Sequence, residues 1–216
     1  MKFDLIDKEN WTRKEYFEYY HSIVPCSYSM TVKIDISKQI RAGKQLYPMI
    51  LHYLTTIVNK HEEFRTAFNA DGNLGIYDEL VPCYTVFHKD TETFSTIWTE
   101  YSDNYEDFLE KYQQDKIQYG SEKNFEAKPN TPPNSFSVSM IPWETFEGFN
   151  LNLPQGNDYL LPIFTIGKYY YEKEKCLLPL AVQVHHSVCD GFHLCRFINE
   201  LRNLIEPSKI KELDRE

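Results

Sequence analysis

The sequence has no basic block of useful length, and its 216 residues carry a formal net charge of −9 with a pI near 5.3. A chain that works by neutralising nucleic-acid phosphates needs clustered Lys and Arg, so no nucleic-acid partner is expected. Long apolar runs are also missing. The longest, "CLLPLAV" at 176–182, is far short of the ~20 residues a membrane helix requires, and residues 1–20 carry charges at short intervals with no apolar signal core. A soluble, cytoplasmic protein with no membrane partner is expected. CxxC pairs are absent as well: Cys26, Cys83, Cys176, Cys189 and Cys195 are odd in number and irregularly spaced, which excludes a thiolate zinc site and a dithiol redox pair. Reduced, buried thiols are the simpler expectation. No internal repeat or low-complexity segment interrupts the chain.

What is present is an ordinary globular balance of 42% hydrophobic and 25% charged residues, with 16 Tyr and 14 Phe, many for this length. Such an excess of aromatics suits a pocket or an interface as well as a core. The length fits one hydrophobic core, so residues 1–216 are read as a single domain whose charged tail frays from about 206.

Periodicity gives the order of elements. Asn10 and Thr12 are capping residues, and Tyr16, Phe17, Tyr20 and Ile23 fall at helical spacing, which predicts a helix over 12–23. "CSYSMTVKIDIS" alternates as a strand, and a second helix is predicted over 47–61, with Pro48 in its first turn and Leu51, Leu54, Ile57 and Val58 on one stripe. "FRTAFNADGNLGIYDEL" reads as strand, turn, strand; "CYTVFHKDTETFSTIWTEY" reads as a further strand and its exit. A helix over 103–119 stops at Gly120, and the prolines of "KPNTPPN" enforce a loop. Strands follow at "SFSVSMI", "YLLPIFTIGKYYY" and "CLLPLAVQVHH", then a helix that opens at Asp190.

The junction between that last strand and helix, "VHHSVCDGFH" at 184–193, concentrates the chemistry-bearing residues. Strand alternation puts Val182, Val184 and His186 on one face and Gln183 and His185 on the other, so the two histidines do not converge on a metal. A nucleophilic thiolate at Cys189 is opposed by the neighbouring carboxylate of Asp190, which raises a thiol's pKa. Asp190 and Gly191 suit a helix N-cap and its tight entry, and equally a functional role. What remains is one histidine at a strand end, suited to general-base work near neutral pH.

"HHSVCDGFH" resembles the HHxxxDG signature shared by chloramphenicol acetyltransferases, dihydrolipoamide acyltransferases and peptide-synthetase condensation domains. Four further stretches, "NWTRKEYFEYY", "YTVFHKDTETFSTIW", "SVSMIPWETFEGFNLNL" and "LLPIFTIGKYY", are similar to the type A chloramphenicol acetyltransferases along nearly the whole chain. The resemblance implies an α+β fold, a two-layer sandwich in which a large mixed sheet is covered by helices. It implies O-acetylation of the primary hydroxyl of chloramphenicol, with acetyl-CoA as co-substrate, no permanently bound cofactor, no metal and no acyl-enzyme.

On the matching positions, the resemblance implies that His186 is the general base and Ser139 the donor to the tetrahedral oxyanion, with Ser137 outside the motif. Asp190 pairs with Arg13, which by itself reads as a solvated helix residue, and this pair holds the loop bearing His186. The implied acceptor pocket is Tyr20, Cys26, Thr85, Phe94, Phe125, Leu151 and Thr165, with Phe125 placed to within a residue. Trp143 and Tyr169 are implied to border the coenzyme A channel. The family's type A members are homotrimers with sites between subunits. Gly148 departs from the serine that relatives often carry, which keeps in view an acyltransferase of the same fold for another small alcohol; a non-catalytic ligand-binding trimer is the reading from another class.

Overall fold

The computed structural model describes residues 1–153 and 158–206. The tail expected to fray lies, from 207 onward, outside the described residues. In chain order the elements are β1 (Phe3–Leu5), α1 (Lys14–Glu18) continued by a π-helical turn (Tyr19–Ile23), β2 (Ser27–Asp35), α2 (Ser37–Arg41), α3 (Leu46–Lys60), a 3₁₀ turn (Glu62–Phe64), β3 (Thr66–Phe68) and β4 (Leu74–Tyr77). Then come β5 (Val81–His88), β6 (Thr93–Trp98), α4 (Tyr105–Tyr119), β7 (Ser135–Ile141), β8 (Ile163–Gly167), β9 (Tyr170–Glu172), β10 (Lys175–His185) and α5 (Gly191–Ile205).

Seven strands form one mixed sheet in the order β2-β10-β8-β7-β5-β6, with β9 beside β10. Strand β7 runs parallel to β5 and β8, and the other pairs are antiparallel. A small antiparallel sheet, β1-β4-β3, stands apart from it. The arrangement is α+β, a large mixed sheet covered by helices.

The stripe predicted on α3 is the buried one: Leu51, Leu54, Ile57 and Val58 are fully enclosed. Helix α5 packs beside it and buries Leu194, Phe197, Ile198 and Leu201. Phe197 stacks on Phe164 of β8 at 5.4 Å and meets Phe64 at 5.1 Å, which fixes α5 over the middle of the sheet. Each such side chain contributes about 1.5–3 kcal/mol when taken out of water. Alternation then decides which residues face away. On β7, Phe136 and Val138 enter the core, so Ser137 and Ser139 point from the opposite face.

Several elements differ from the sequence reading, each for a local reason. Strand β1 and helix α2 are too short for periodicity to register; α2 starts where Asp35 Oδ1 accepts from both the backbone N–H and the hydroxyl of Ser37. The strand at 83–101 is a hairpin, β5 and β6, whose turn lacks glycine and proline and is made by Glu92 at φ 54°. Residues 159–171 divide into β8 and β9. The first helix is α-helical for one turn and then widens, with Val24 N–H reaching Tyr19 O at 2.8 Å, and neither Asn10 nor Thr12 caps it. Strand β10 stops at His185, so His186 leaves the face of Val182 and Val184 and sits in a turn.

Candidate active site

Between β10 and α5 the chain reverses in a tight turn, because His185 O accepts from Val188 N–H at 3.2 Å and from Cys189 N–H at 3.1 Å. One backbone bond carries the sheet ladder past the strand end: His186 N–H donates to Cys26 O at 3.0 Å. Arg13 reaches this turn from α1's N-cap. Its guanidinium forks onto both carboxylate oxygens of Asp190, at 2.7 and 2.8 Å, and donates to the carbonyls of His186 at 3.0 Å and Ser187 at 2.7 Å. A planar guanidinium suits this set of acceptors, since its donors are fixed in one plane. These bonds hold the Asp190 carboxyl below its ordinary range, against the opposing effect of burial.

The His186 ring lies flat on Tyr20, with centroids 3.8 Å apart and planes 9° from parallel, and meets the edge of Tyr28 at 5.2 Å. Tyr20 occupies the π-helical turn, and such widened turns recur where a helix must re-aim a side chain at a site. The buried Nδ1 of His186 is 3.4 Å from Asp190 Oδ1 without hydrogen-bond geometry, so the contact is electrostatic. The outward ring nitrogen is Nε2. Tyr28 ties down the far end of the turn by donating to Cys189 O at 3.2 Å.

His185 is separated from this site. Its Nδ1 faces the hydroxyl of Ser187 at 2.7 Å and the Ser187 N–H at 3.3 Å, and burial, with His21 and His186 nearby, pushes its pKa down to about 4. A proton on Nδ1 would set donor against donor. The folded state therefore binds fewer protons than an unfolded chain between about pH 6.5 and 4, so this histidine's contribution is complete above that range and is lost as pH falls through it. Unfolding free energy, measured by denaturant titration, should drop by about 2 kcal/mol from pH 7.5 to pH 5 on account of this group. His185→Gln should flatten that part of the slope.

Cys189 is fully buried, and burial raises its thiol above the ordinary range, as expected of a packing residue. All five cysteines are unpaired. Among the described residues, no three His, Cys, Asp or Glu side chains cluster as a metal site, and no helix is long and apolar enough to cross a membrane.

The remaining candidates stand on the sheet face turned away from the helices. Ser139 Oγ lies 3.2 Å from Thr165 Oγ1, its register partner on β8, while Ser137 reaches toward Tyr159 OH at 3.4 Å. Thr85 is a partner of Thr96 in the β5–β6 hairpin, and Phe94 on β6 meets Phe125 edge-on at 5.9 Å. Thr96 N–H donates to Phe125 O, which ties that loop to the sheet. Trp143 packs edge-on against Phe87, and Tyr169 against Tyr171; both remain exposed. Thus the structure assembles His186, Arg13, Asp190, Tyr20 and Cys26 in one cluster, and Ser139, Thr165, Thr85, Phe94 and Phe125 on a different surface. No hydrogen bond, ion pair or ring contact joins the two sets among the described residues.

Sequence reasoning passed over Gln183. Its amide takes both backbone groups of Leu151, accepting from N–H at 2.7 Å and donating to the carbonyl at 3.0 Å, and so pins Leu151 to the sheet. The available signal was one amide inside the apolar run of β10.

Known proteins are similar to this chain along nearly its whole length. A family model described as chloramphenicol acetyltransferase matches residues 1–202. A chloramphenicol acetyltransferase of Clostridium perfringens is 60% identical over 205 residues, which is 95% of this chain and 99% of that protein. One of Campylobacter coli is also 60% identical, with the same coverage. A solved chloramphenicol acetyltransferase structure, 21% identical, superposes with a TM-score of 0.81 over 95% of this chain and all of that one, and so shares its fold. The chain belongs to the chloramphenicol acetyltransferase family.

Proposed function

We propose that this protein transfers the acetyl group of acetyl-CoA to the primary hydroxyl of chloramphenicol, with His186 as general base. The observation that carries the role of His186 is the disposition of its ring: Nδ1 is buried toward the Asp190 carboxylate and Nε2 faces out. With the ring proton on Nδ1, Nε2 takes the hydroxyl proton, and the alkoxide oxygen attacks the thioester carbonyl. The imidazolium that forms lies beside a carboxylate already ionised by Arg13, which favours its charge. Collapse of the tetrahedral intermediate breaks the carbon–sulfur bond, and His186 returns its proton to the departing thiolate.

Oxygen charge on the intermediate calls for a donor, and Ser139 fills that role in this reading. Its hydroxyl is aimed by Thr165 and stands on a rigid central strand. Separation of Ser139, Thr165, Thr85, Phe94 and Phe125 from the His186 cluster within the chain supports assembly of the site between copies, with His186 of one protomer facing the sheet surface of the next in a homotrimer. Aromatic and apolar groups at Phe94, Phe125 and Leu151 suit a nitrophenyl ring and a dichloroacetyl group; Trp143 and Tyr169 are assigned to the coenzyme A side. The cytoplasm, where acetyl-CoA is available, fits such an enzyme.

Thiol release from acetyl-CoA on adding chloramphenicol tests the reading directly. Release with other small alcohols and none with chloramphenicol favours a different acceptor. Gly148 is the residue behind that second reading, since a side chain there would meet nothing within 4 Å inside the chain and packing does not require glycine. Ser139→Ala should lower kcat by about 10²-fold with little change in either KM. An undiminished kcat would remove Ser139 from the oxyanion role.

A further inference from the structure

The sequence leaves His193 without a duty, and the structure places it in the turn that carries His186. Both carboxylate oxygens of Asp190 accept from Arg13, and the backbone N–H of Asp190 donates to His193 Nδ1 at 3.0 Å, with Asp190 Oδ2 3.8 Å from the same nitrogen. The spacing, N-cap to third helical residue, is that of a capping box, with imidazole in place of the usual Glu or Gln. Arg13 therefore fixes the carbonyls of residues 186 and 187 and the carboxylate of residue 190, while His193 fixes the amide of residue 190. The residue whose amide His193 holds is the one whose Oδ1 stands 3.4 Å from His186 Nδ1.

We propose that His193 is a positioning residue for His186, acting as the uncharged acceptor that orients Asp190 at the start of α5. This rests on the reading of His186 as the base. The bond requires Nδ1 to be unprotonated, because a proton there would face the Asp190 N–H donor to donor. Groups around the ring come from three elements. Arg13 and Thr12 approach from the segment leading into α1, Glu62 and Glu63 from the 3₁₀ turn, and Arg196 from α5 itself; most of these line a cavity of about 260 Å³ beside the ring. Glu63 is already engaged by Arg196, and burial, with Arg13 and Arg196 nearby, lowers the affinity of His193 for a proton against the pull of Glu63 and Asp190. The positioning bond is thus complete above the ordinary histidine range and is lost as pH falls below it.

Kinetics of the full-length protein with chloramphenicol and acetyl-CoA decide the matter, run well below each variant's unfolding temperature. His193→Ala should lose about 10-fold or more in kcat with both KM values nearly unchanged, since the error is one of aim. His193→Gln, which restores an acceptor at the capping-box position, should recover most of the loss. As pH falls below the ordinary histidine range the wild type should lose a further factor of about ten in kcat that the Gln variant, with no imidazole at 193 to take a proton, does not lose. Full kcat in His193→Ala together with a lower unfolding temperature would reduce His193 to a helix cap and overturn the proposal. If the Ala variant does not fold, the Gln variant decides alone, an acid loss as large as the wild type's counting against. His186→Ala in the same assay separates the premises: if it remains active, the base assignment itself fails.

Discussion

His186→Ala is expected to lower kcat by about 10⁴-fold, the upper end of what a general base supplies, while chloramphenicol and acetyl-CoA still bind. The size of the loss follows from the lack of a stand-in nearby. His185 is buried with Nδ1 committed to Ser187, and His193 Nδ1 accepts the Asp190 N–H. The Cys189 thiol is raised by burial, and both oxygens of Asp190 are held by Arg13. His21 is occupied with Asp158, 2.9 Å from its Nε2. Removal of the ring also takes away a face-to-face contact with Tyr20, worth about 1 kcal/mol, so a stability control is needed. His186→Phe supplies it: an aromatic ring keeps the stack and has no lone pair, so it should be as inactive as Ala and closer to wild type in unfolding temperature. More than about 1% of wild-type kcat in both variants, read by thiol release, would mean that another group takes the proton.

The fold was legible where an element is long enough for its period to be counted. Helix α3 and strand β7 were given by the Leu51–Val58 stripe and by "SFSVSMI", because their burial pattern repeats two or more times. Elements of three to five residues, such as β1 and α2, depend on tertiary pairing that no local pattern carries. The turn at Glu92 was hidden because a glutamate in the left-handed region is tolerated by the hairpin around it rather than announced by its type.

At the site, alternation rightly divided His185 from His186, but for the second histidine the physical reason is different. His186 is aimed by the end of the strand and by Arg13, which lies 173 positions away in sequence. Nothing local to "VHHSVCDGFH" reveals that partner; only the family motif pointed to it. The same limit applies to Gln183 and Leu151, which are 32 residues apart and are joined by side-chain bonds across the sheet. His193 was within reach, since its spacing from Asp190 is that of a capping box, but the imidazole disguised it.

Arg13→Ala should cost about 2 kcal/mol in unfolding free energy and about 10²-fold in kcat. A fully buried pair broken on one side costs more, ~3–5 kcal/mol, but the Asp190 side chain is 34% exposed and water takes up part of its lost bonding. The kinetic effect comes from the backbone. Without Arg13 the carbonyls of His186 and Ser187 lose their donor, and the turn that sets the imidazole is free to shift by the ångström or so that general-base transfer does not tolerate. Arg13→Lys should rescue little, because one ammonium cannot span two carbonyls and both oxygens of a carboxylate. Asp190→Asn keeps an acceptor oxygen and leaves both carbonyl bonds in place, so its loss in kcat should be the smaller one. Measured in parallel with the double variant, the two losses should be less than additive, since the Arg13–Asp190 bonds are shared by both residues and cannot be lost twice. If Asp190→Asn is instead as damaging as Arg13→Ala, the carboxylate's 3.4 Å approach to His186 governs the rate, and the hold on the carbonyls does not.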